Sequence, residues 1–324
     1  MADHDLRNSP TSTRRQFLEY AGAGLAAATL SRSFPAWAQT ATNDSVAQMR
    51  AAAATAKLST LKLTDSLSVI SGAGGNVAVL TGPDGKALVD TSFATSAPQL
   101  KAALGALSND PLRLVINTHW HFDHTDGNPW MRHSGALILA HENTRVRLAQ
   151  AHDMPDLHMH FDPSPADALP QQTFTDQATL YFNGETLALS YYPPAHTDSD
   201  ILIHFTQANV IHAGDILFNG RYPLIDYTTR GNIDGMITAA NRTLSLCDAQ
   251  TRIIPGHGPM ADRPMLEQYR DMLVTVRERV AKLKQSGKTL EESIAEKPTR
   301  DLDEKWGKGS IGSDFFVKLV YTTL

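Results

Sequence analysis

Apolar positions along the chain change period repeatedly, and each change predicts an element. "SVAQMRAAAATAKL" reads as a short helix. "LKLTDSLSVISG", "NVAVLTG" and "KALVDTS" read as strands separated by Gly and Pro-Asp-Gly turns. "APQLKAALGAL" spaces its apolar residues three and four apart, as one face of a helix requires. "LRLVINT" and "ALILA" predict strands, and "HENTRVRLAQA" predicts a helix. From 152 to 173 the period dissolves. "HDMPDLHMHFDPSPADALPQQT" holds four prolines and reads as one long loop, a length more often functional than idle. Strands return in "ATLYFN", "TLALSYYP", "DILIHFT" and "NVIHAGD". A helix near Gly235–Leu246 precedes the strand in "TRIIPGHGP". "MLEQYRDMLVTVRERVAKLKQ" is an amphipathic helix, with shorter helices after it. Strands and helices alternate in two halves, so the class is a layered α/β protein with mixed sheets and a helical C-terminal tail.

Composition narrows this reading. The 324 residues suffice for one or two domains, and 42% hydrophobic with 19% charged residues is ordinary for a globular chain. Net charge is −5 with both signs dispersed, which excludes a nucleic-acid footprint. The single cysteine, Cys247, excludes an internal disulfide. A metal cluster would therefore be built from His, Asp or Glu. Histidines number 13, and most fall between His119 and His204.

The first 38 residues read as an address. "STRRQFLEY" carries an arginine pair, "AGAGLAAATL" is a short mild apolar run, and "AWAQ" offers a cut at Ala38/Gln39. This resembles a twin-arginine signal peptide. It predicts passage through the twin-arginine export machinery to the periplasm or outside. No later stretch is apolar enough to span a membrane. The expected division is 1–38 signal, 39–262 main domain and 263–324 helical extension.

Chemistry-capable residues recur just beyond apolar runs. His119, His121, Asp123 and His124 follow "LRLVINT", His196 follows "TLALSYYPPA", Asp215 follows "NVIHAG" and His257 follows "TRIIPG". Loops at strand ends of one layered core converge on one edge, where ligand sites tend to form. Within "THWHFDH", His119, His121 and Asp123 alternate, so Trp120 and Phe122 face the other way. His124 breaks the alternation and requires a bend near Asp123. Two subsites follow, one served by His119 and His121, the other by Asp123 and His124. Five imidazoles and two carboxylates are too many for one tetrahedral ion with an open position. They suit two ions sharing a carboxylate, which activate water and polarise a carbonyl or phosphoryl oxygen. Zinc fits these donors, as do iron and manganese. His204 and His212 lie in strand patterns and read as structural, while His133 and His141 flank helices. His152, His158 and His160 lie in the long loop, within reach of a substrate.

"THWHFDH" matches H-x-H-x-D-H, and with "AHTDSD", "AGDILF" and "IPGHGP" it resembles the metallo-β-lactamase superfamily. The resemblance covers about residues 60–260. It implies an αββα sandwich with two mixed β-sheets and helices outside. It also implies two zinc ions per chain, one held by His119, His121 and His196, the other by Asp123, His124 and His257. Asp215 would bridge them, and Asp123 would orient the nucleophile and handle protons as the catalytic residue. The implied activity is hydrolysis of a small-molecule ester, thioester, lactone or β-lactam.

Departures from the pattern bear on substrate. β-Lactamases of the best-known subclass carry cysteine where Asp215 stands, with a lysine three residues later where this chain has Phe218. The bridging aspartate is more similar to glyoxalase II and the acyl homoserine lactonases, whose nearby tyrosine Tyr222 could replace. Arg221, Tyr222 and Arg230, with Phe218, are the candidate substrate contacts. A β-lactamase proper and a mono-iron oxidoreductase similar to persulfide dioxygenases are the alternative readings.

Overall fold

The computed structural model describes residues 45–324, so the export-signal reading lies outside the described residues. The chain opens with α1 (Ser45–Ala53), β1 (Ser59–Lys62), β2 (Leu67–Ser71), β3 (Val77–Leu80), β4 (Lys86–Val89) and α2 (Ala97–Leu107). Then come β5 (Leu112–Ile116), α3 (Phe122–Thr125), α4 (Asn128–His133), β6 (Leu137–His141) and α5 (Glu142–Leu148). Short strands β7 (His152–Met154), β8 (Met159–Phe161) and β9 (Gln172–Phe174) follow. The second half holds β10 (Gln177–Phe182), β11 (Glu185–Tyr191), β12 (Ile201–Phe205), β13 (Val210–Phe218) and α6 (Ile233–Leu246). It closes with β14 (Arg252–His257), β15 (Ala261–Asp262), α7 (Arg263–Gln285), α8 (Leu290–Ala295), α9 (Asp303–Trp306) and α10 (Ser313–Thr323).

Two mixed sheets form from these strands. One has the order β1-β2-β3-β4-β5-β6-β9, antiparallel as far as β4 and parallel beyond. The other has the order β10-β11-β12-β13-β14-β15, antiparallel except for the parallel pair β13–β14. The period of two along each strand divides the side chains between two cores. Leu67, Val69, Ala78, Leu80, Leu114 and Ile116 meet Leu187, Leu189, Ile201, Ile203 and Ile254 between the sheets. Alternate residues Ile70, Val77, Val79, Leu88 and Val115 face outward onto Leu100 and Leu104 of α2. Leu202, Ile211, Ala213 and Ile253 face outward onto α6, α7 and α10. The order helix, sheet, sheet, helix is the αββα sandwich expected from the sequence.

The tail packs as part of this second outer layer. α7 starts at Asp262, whose side chain accepts from the Met265 N–H, and buries Leu266, Tyr269, Leu273, Val276 and Val280. Trp306, Phe316 and Val320 complete the same core.

The long loop is corrected by the structure. Residues 152–173 include the hairpin β7–β8, paired antiparallel from His152↔Phe161 to Met154↔Met159. β9 then joins the first sheet beside β6. The hairpin was hidden because its strands are three residues long, too short to display a period.

Candidate metal centre

The site sits where the strands of both sheets end. Beyond β5, residues 117–121 stay non-helical and α3 then begins at Phe122, with His121 extended as its N-cap. The chain bends there, one residue before the position the alternation required. Trp120 packs with Leu148 and Met154, and Phe122 packs with Phe93, Ala73 and Val46. These apolar anchors turn His119, His121, Asp123 and His124 towards the opposite side.

Three more segments close the cage. His196 lies in the connection from β11 to β12. Its backbone N–H donates to Asp200 Oδ2 at 2.8 Å. Asp215 lies inside β13 rather than beyond it, at an irregularity in the pairing with β14 around Gly214. Gly214 has φ 52°, and a Cβ there would press on Thr118. Only glycine meets both demands at low cost, and the resulting bulge re-aims Asp215. His257 is the last residue of β14. A Cβ on the preceding Gly256 would overlap Asp215 Oδ1.

Two donor groups result. His119, His121, His196 and Asp215 each offer one atom within 4.8 Å of the others, and so do Asp123, His124 and His257. Asp215 touches both groups. Its Oδ2 lies 3.4 Å from His196 Nε2 and 3.4 Å from His257 Nε2, and its Oδ1 lies 3.1 Å from His124 Nε2. Asp123 Oδ2 is 3.2 Å from His257 Nε2. His121 directs Nδ1 inward, 2.9 Å from His196 Nε2.

The outer nitrogens are held from behind. His121 Nε2–H donates to Asp226 Oδ2 at 3.1 Å. His196 Nδ1–H donates to the Leu224 carbonyl at 2.8 Å. His124 Nδ1–H donates to Asp90 Oδ2 at 2.7 Å. His119 Nδ1 faces Thr118 Oγ1 at 3.0 Å, and Thr118 Oγ1 donates to Asp90 Oδ2 at 2.8 Å. Placing the proton on the outer nitrogen leaves the inner lone pair free, as a metal ligand requires. His119 Nε2 is buried and has no hydrogen-bond partner among the described residues. Leaving such an atom unpaired is costly, and a cation is the partner its lone pair suits. The donor set therefore fits metal ions.

Electrostatics agree. Burial works against the charge on Asp215, yet His257 and His124 hold it well below the usual carboxylate range. Asp123 is held at about 2 by His124 and His257, again against burial. His257 is raised to about 9, with Asp215 and Asp123 overcoming burial. His196 is lowered to about 4 by burial and by His121. The second group thus attracts positive charge, and the first keeps imidazole lone pairs free. Side-chain exposure is 18% at His257 and 11% at Asp123, against 6% or less at His119, His121, His124, His196 and Asp215. The centre opens to solvent on the His257–Asp123 side.

The expected substrate contacts separate. Phe218 stacks on His257, with centroids 5.2 Å apart, and walls the centre. Arg221 lies beside Gly309 of the tail. Arg230 is exposed and lines a separate groove with Tyr192, Pro193 and Pro194. Tyr222 is a correction. It is fully buried, stacks on Phe316 and donates to Asp303 Oδ1 at 2.9 Å, so it anchors a loop instead of meeting substrate. His204 and His212 sit in strands as expected, and His212 Nε2 donates to the Asn76 carbonyl at 3.0 Å. Asp90 and Asp226 were missed. Asp90 follows the fully buried β4 directly, which is the signal that singled out Asp215. Asp226 follows no strand and gives no local signal.

Known proteins bear on these observations. The family model described as the metallo-beta-lactamase superfamily matches residues 71–281, which contain all seven donors. A metallo-beta-lactamase type 2 of Bacteroides fragilis is 24% identical over 163 residues, 49% of this chain and 58% of that protein. The chain thus spans little more than half of that relative's length. A probable metallo-hydrolase, YqgX, of Bacillus subtilis is 27% identical over 157 residues, 47% of this chain and 71% of that protein. Among solved structures, a metallo-beta-lactamase from Pontibacter korlensis superposes with TM-score 0.56 at 16% identity, covering 67% of this chain and 99% of that one. The sec-alkylsulfatase Pisa1 from Pseudomonas sp. superposes with TM-score 0.64 at 18% identity, covering 82% of this chain and 50% of that one. These structural likenesses speak for the fold, and with the matched family model they lead to one conclusion: the chain belongs to the metallo-beta-lactamase superfamily.

Proposed function

We propose that this protein is a hydrolase using two zinc ions to cleave an activated carbonyl compound, an ester, thioester, lactone or β-lactam of small size. The observation that carries the reading is Asp215, whose carboxylate lies within 3.4 Å of imidazoles from both donor groups. His119, His121 and His196 would hold one ion, and Asp123, His124 and His257 the other. Imidazole and carboxylate donors suit zinc as they suit iron and manganese, and zinc is proposed on the resemblance of the motifs to those of the two-zinc hydrolases. Bound there, the ions supply an activated water and a Lewis acid for the developing oxyanion.

The chain's own residues supply the rest. Asp90, Asp226 and the Leu224 carbonyl orient the imidazoles. Asp123 stands at the open side with its carboxylate ionised, where it can orient water and pass a proton to the leaving group. Phe218, stacked on His257, supplies an apolar wall beside the opening. β-Lactam hydrolysis is the second reading, and the match to the Bacteroides protein favours it. The "STRRQFLEY" segment supports export by the twin-arginine route to the periplasm.

The test is elemental analysis of the purified mature protein, with nitrocefin, a simple lactone, a thioester and an aryl ester assayed on the same sample. About two zinc ions per chain with turnover of any of these supports the proposal. One iron per chain with oxygen uptake and no hydrolysis would overturn it.

A further inference from the structure

One loop, residues 219–232, braces two of the three imidazoles in the first donor group. Its Leu224 carbonyl accepts from His196 Nδ1, and its Asp226 carboxylate accepts from His121 Nε2. Asp226 is 1% exposed and held in turn. Its Oδ1 accepts from the Thr228 N–H at 3.1 Å and from the Thr228 hydroxyl, and its Oδ2 accepts from the Thr229 hydroxyl. The Asp226 N–H also donates to the His196 carbonyl at 2.9 Å, and further contacts tie the loop to the hairpin and the tail. His152 on the hairpin β7–β8 lies 2.8 Å from Thr228 Oγ1, and its ring meets Trp120 edge-on at 4.9 Å. Tyr227 Oη donates to Asp156 Oδ2 at 2.7 Å, and Lys318 of α10 pairs with Asp156 Oδ1 at 2.7 Å. The Tyr222 N–H donates to the Trp306 carbonyl at 2.7 Å.

His121 needs this support more than its neighbours do. It is the only first-group imidazole with Nδ1 facing inward among the described residues, and its own chain position, at the N-cap of α3, does not fix the ring. An Asp226 carboxylate behind Nε2 selects the tautomer with the proton on Nε2, which leaves Nδ1 as the lone pair. Among the described residues the loop places no acceptor behind the rings of His124 or His257; it meets His257 only through the backbone, the Asn219 N–H donating to the His257 carbonyl at 2.9 Å.

We infer that Asp226 is a positioning residue for the first metal, fixing the tautomer and ring orientation of His121, and that the hairpin and α10 hold the loop that carries it. The inference rests on the reading of His121 as a metal ligand. The expected signature is selective. Losing Asp226 weakens one of two binding events and spares the other.

The experiment uses full-length mature protein stripped of metal by chelator, and its Asp226→Ala and Asp226→Asn variants. Zinc is titrated against a chromophoric competitor, and the His121 ring nitrogens are followed by 15N NMR in the metal-free protein. Asp226→Ala is expected to weaken one site about 10- to 100-fold, the usual size for an outer hydrogen-bond partner, and to mix the His121 tautomers. Asp226→Asn retains an acceptor and is expected to recover part of both. If Asp226→Ala fails to fold, the near-isosteric Asn variant carries the same comparison with a smaller shift. Unchanged zinc binding at both sites with an unchanged His121 tautomer would overturn the inference while leaving the metal centre intact. Should the parent protein bind no zinc, the hydrolase reading fails on that result, and the tautomer comparison still decides the role of Asp226.

Discussion

The two donor groups differ in how they are held. In the first, His119, His121 and His196 are dry, and each outer nitrogen has a partner: Thr118, Asp226 and the Leu224 carbonyl. In the second, His124 is braced by Asp90, but His257 has no hydrogen-bond partner behind its ring among the described residues. Instead Phe218 stacks on it. The second group also faces the opening. A braced group suits an ion that stays and orients, whereas an open group suits an ion that exchanges water and meets substrate. Asp90 couples the two, because its Oδ2 accepts from both Thr118 and His124.

The hardest way to break the comparison is to remove the residue shared by both groups. Asp215→Ala should empty both sites and reduce turnover to background, read by elemental analysis and assay. Retention of a full metal complement would refute the bridging role. Asp123→Ala should strike only the open group. Turnover should fall by about 10²–10³-fold, the size of losing one group preorganised for the transition state. Circular dichroism should be unchanged, and one metal should remain. Near-normal turnover in a folded variant would remove Asp123 from the mechanism.

Acidity separates the groups next. His257, at about 9, lies above the ordinary histidine value of about 6.5. A raised folded-state pKa stabilises fully below the unfolded value and loses that contribution as pH rises through the folded one. In chelator, the thermal midpoint should therefore drift down between about pH 6.5 and 9 from this group. With zinc present the slope should reverse, because ligation needs the neutral imidazole. Parallel slopes with and without zinc would show that the open group does not bind metal.

Smaller effects sharpen the picture. Gly256→Ala forces a methyl against Asp215 and should cost about 1–3 kcal/mol, measurable by denaturant melts, together with weakened metal binding. Cys247→Ser should leave metal content unaltered, since the buried thiol donates to the Thr243 carbonyl and belongs to neither donor group. Loss of zinc in that variant would contradict the ligand set.

Legibility followed the range of the signal. His119, His121, Asp123 and His124 announce themselves because four donors occupy one short segment. Asp215 and His257 are marked by the strands they end or interrupt. Asp226 has no such mark, and its role depends on a loop folding back over a residue 105 positions earlier. Tyr222 misled for the same reason. Its closeness in sequence to Asp215 suggested the site, but packing against Phe316 turned it into the core.

Sequence by itself determined a layered α/β protein with mixed sheets, since apolar strands must be covered by other layers, and the αββα arrangement entered through the resemblance of the motifs. It also determined the donor types and their order, because alternation and bend are local properties of the backbone. Tertiary structure decided the hairpin in 152–161, the bulge that aims Asp215 and the braces behind each imidazole. Those features depend on which distant backbone groups meet. Burial makes an unpaired donor or acceptor costly, so the partners are chosen only when the layers close.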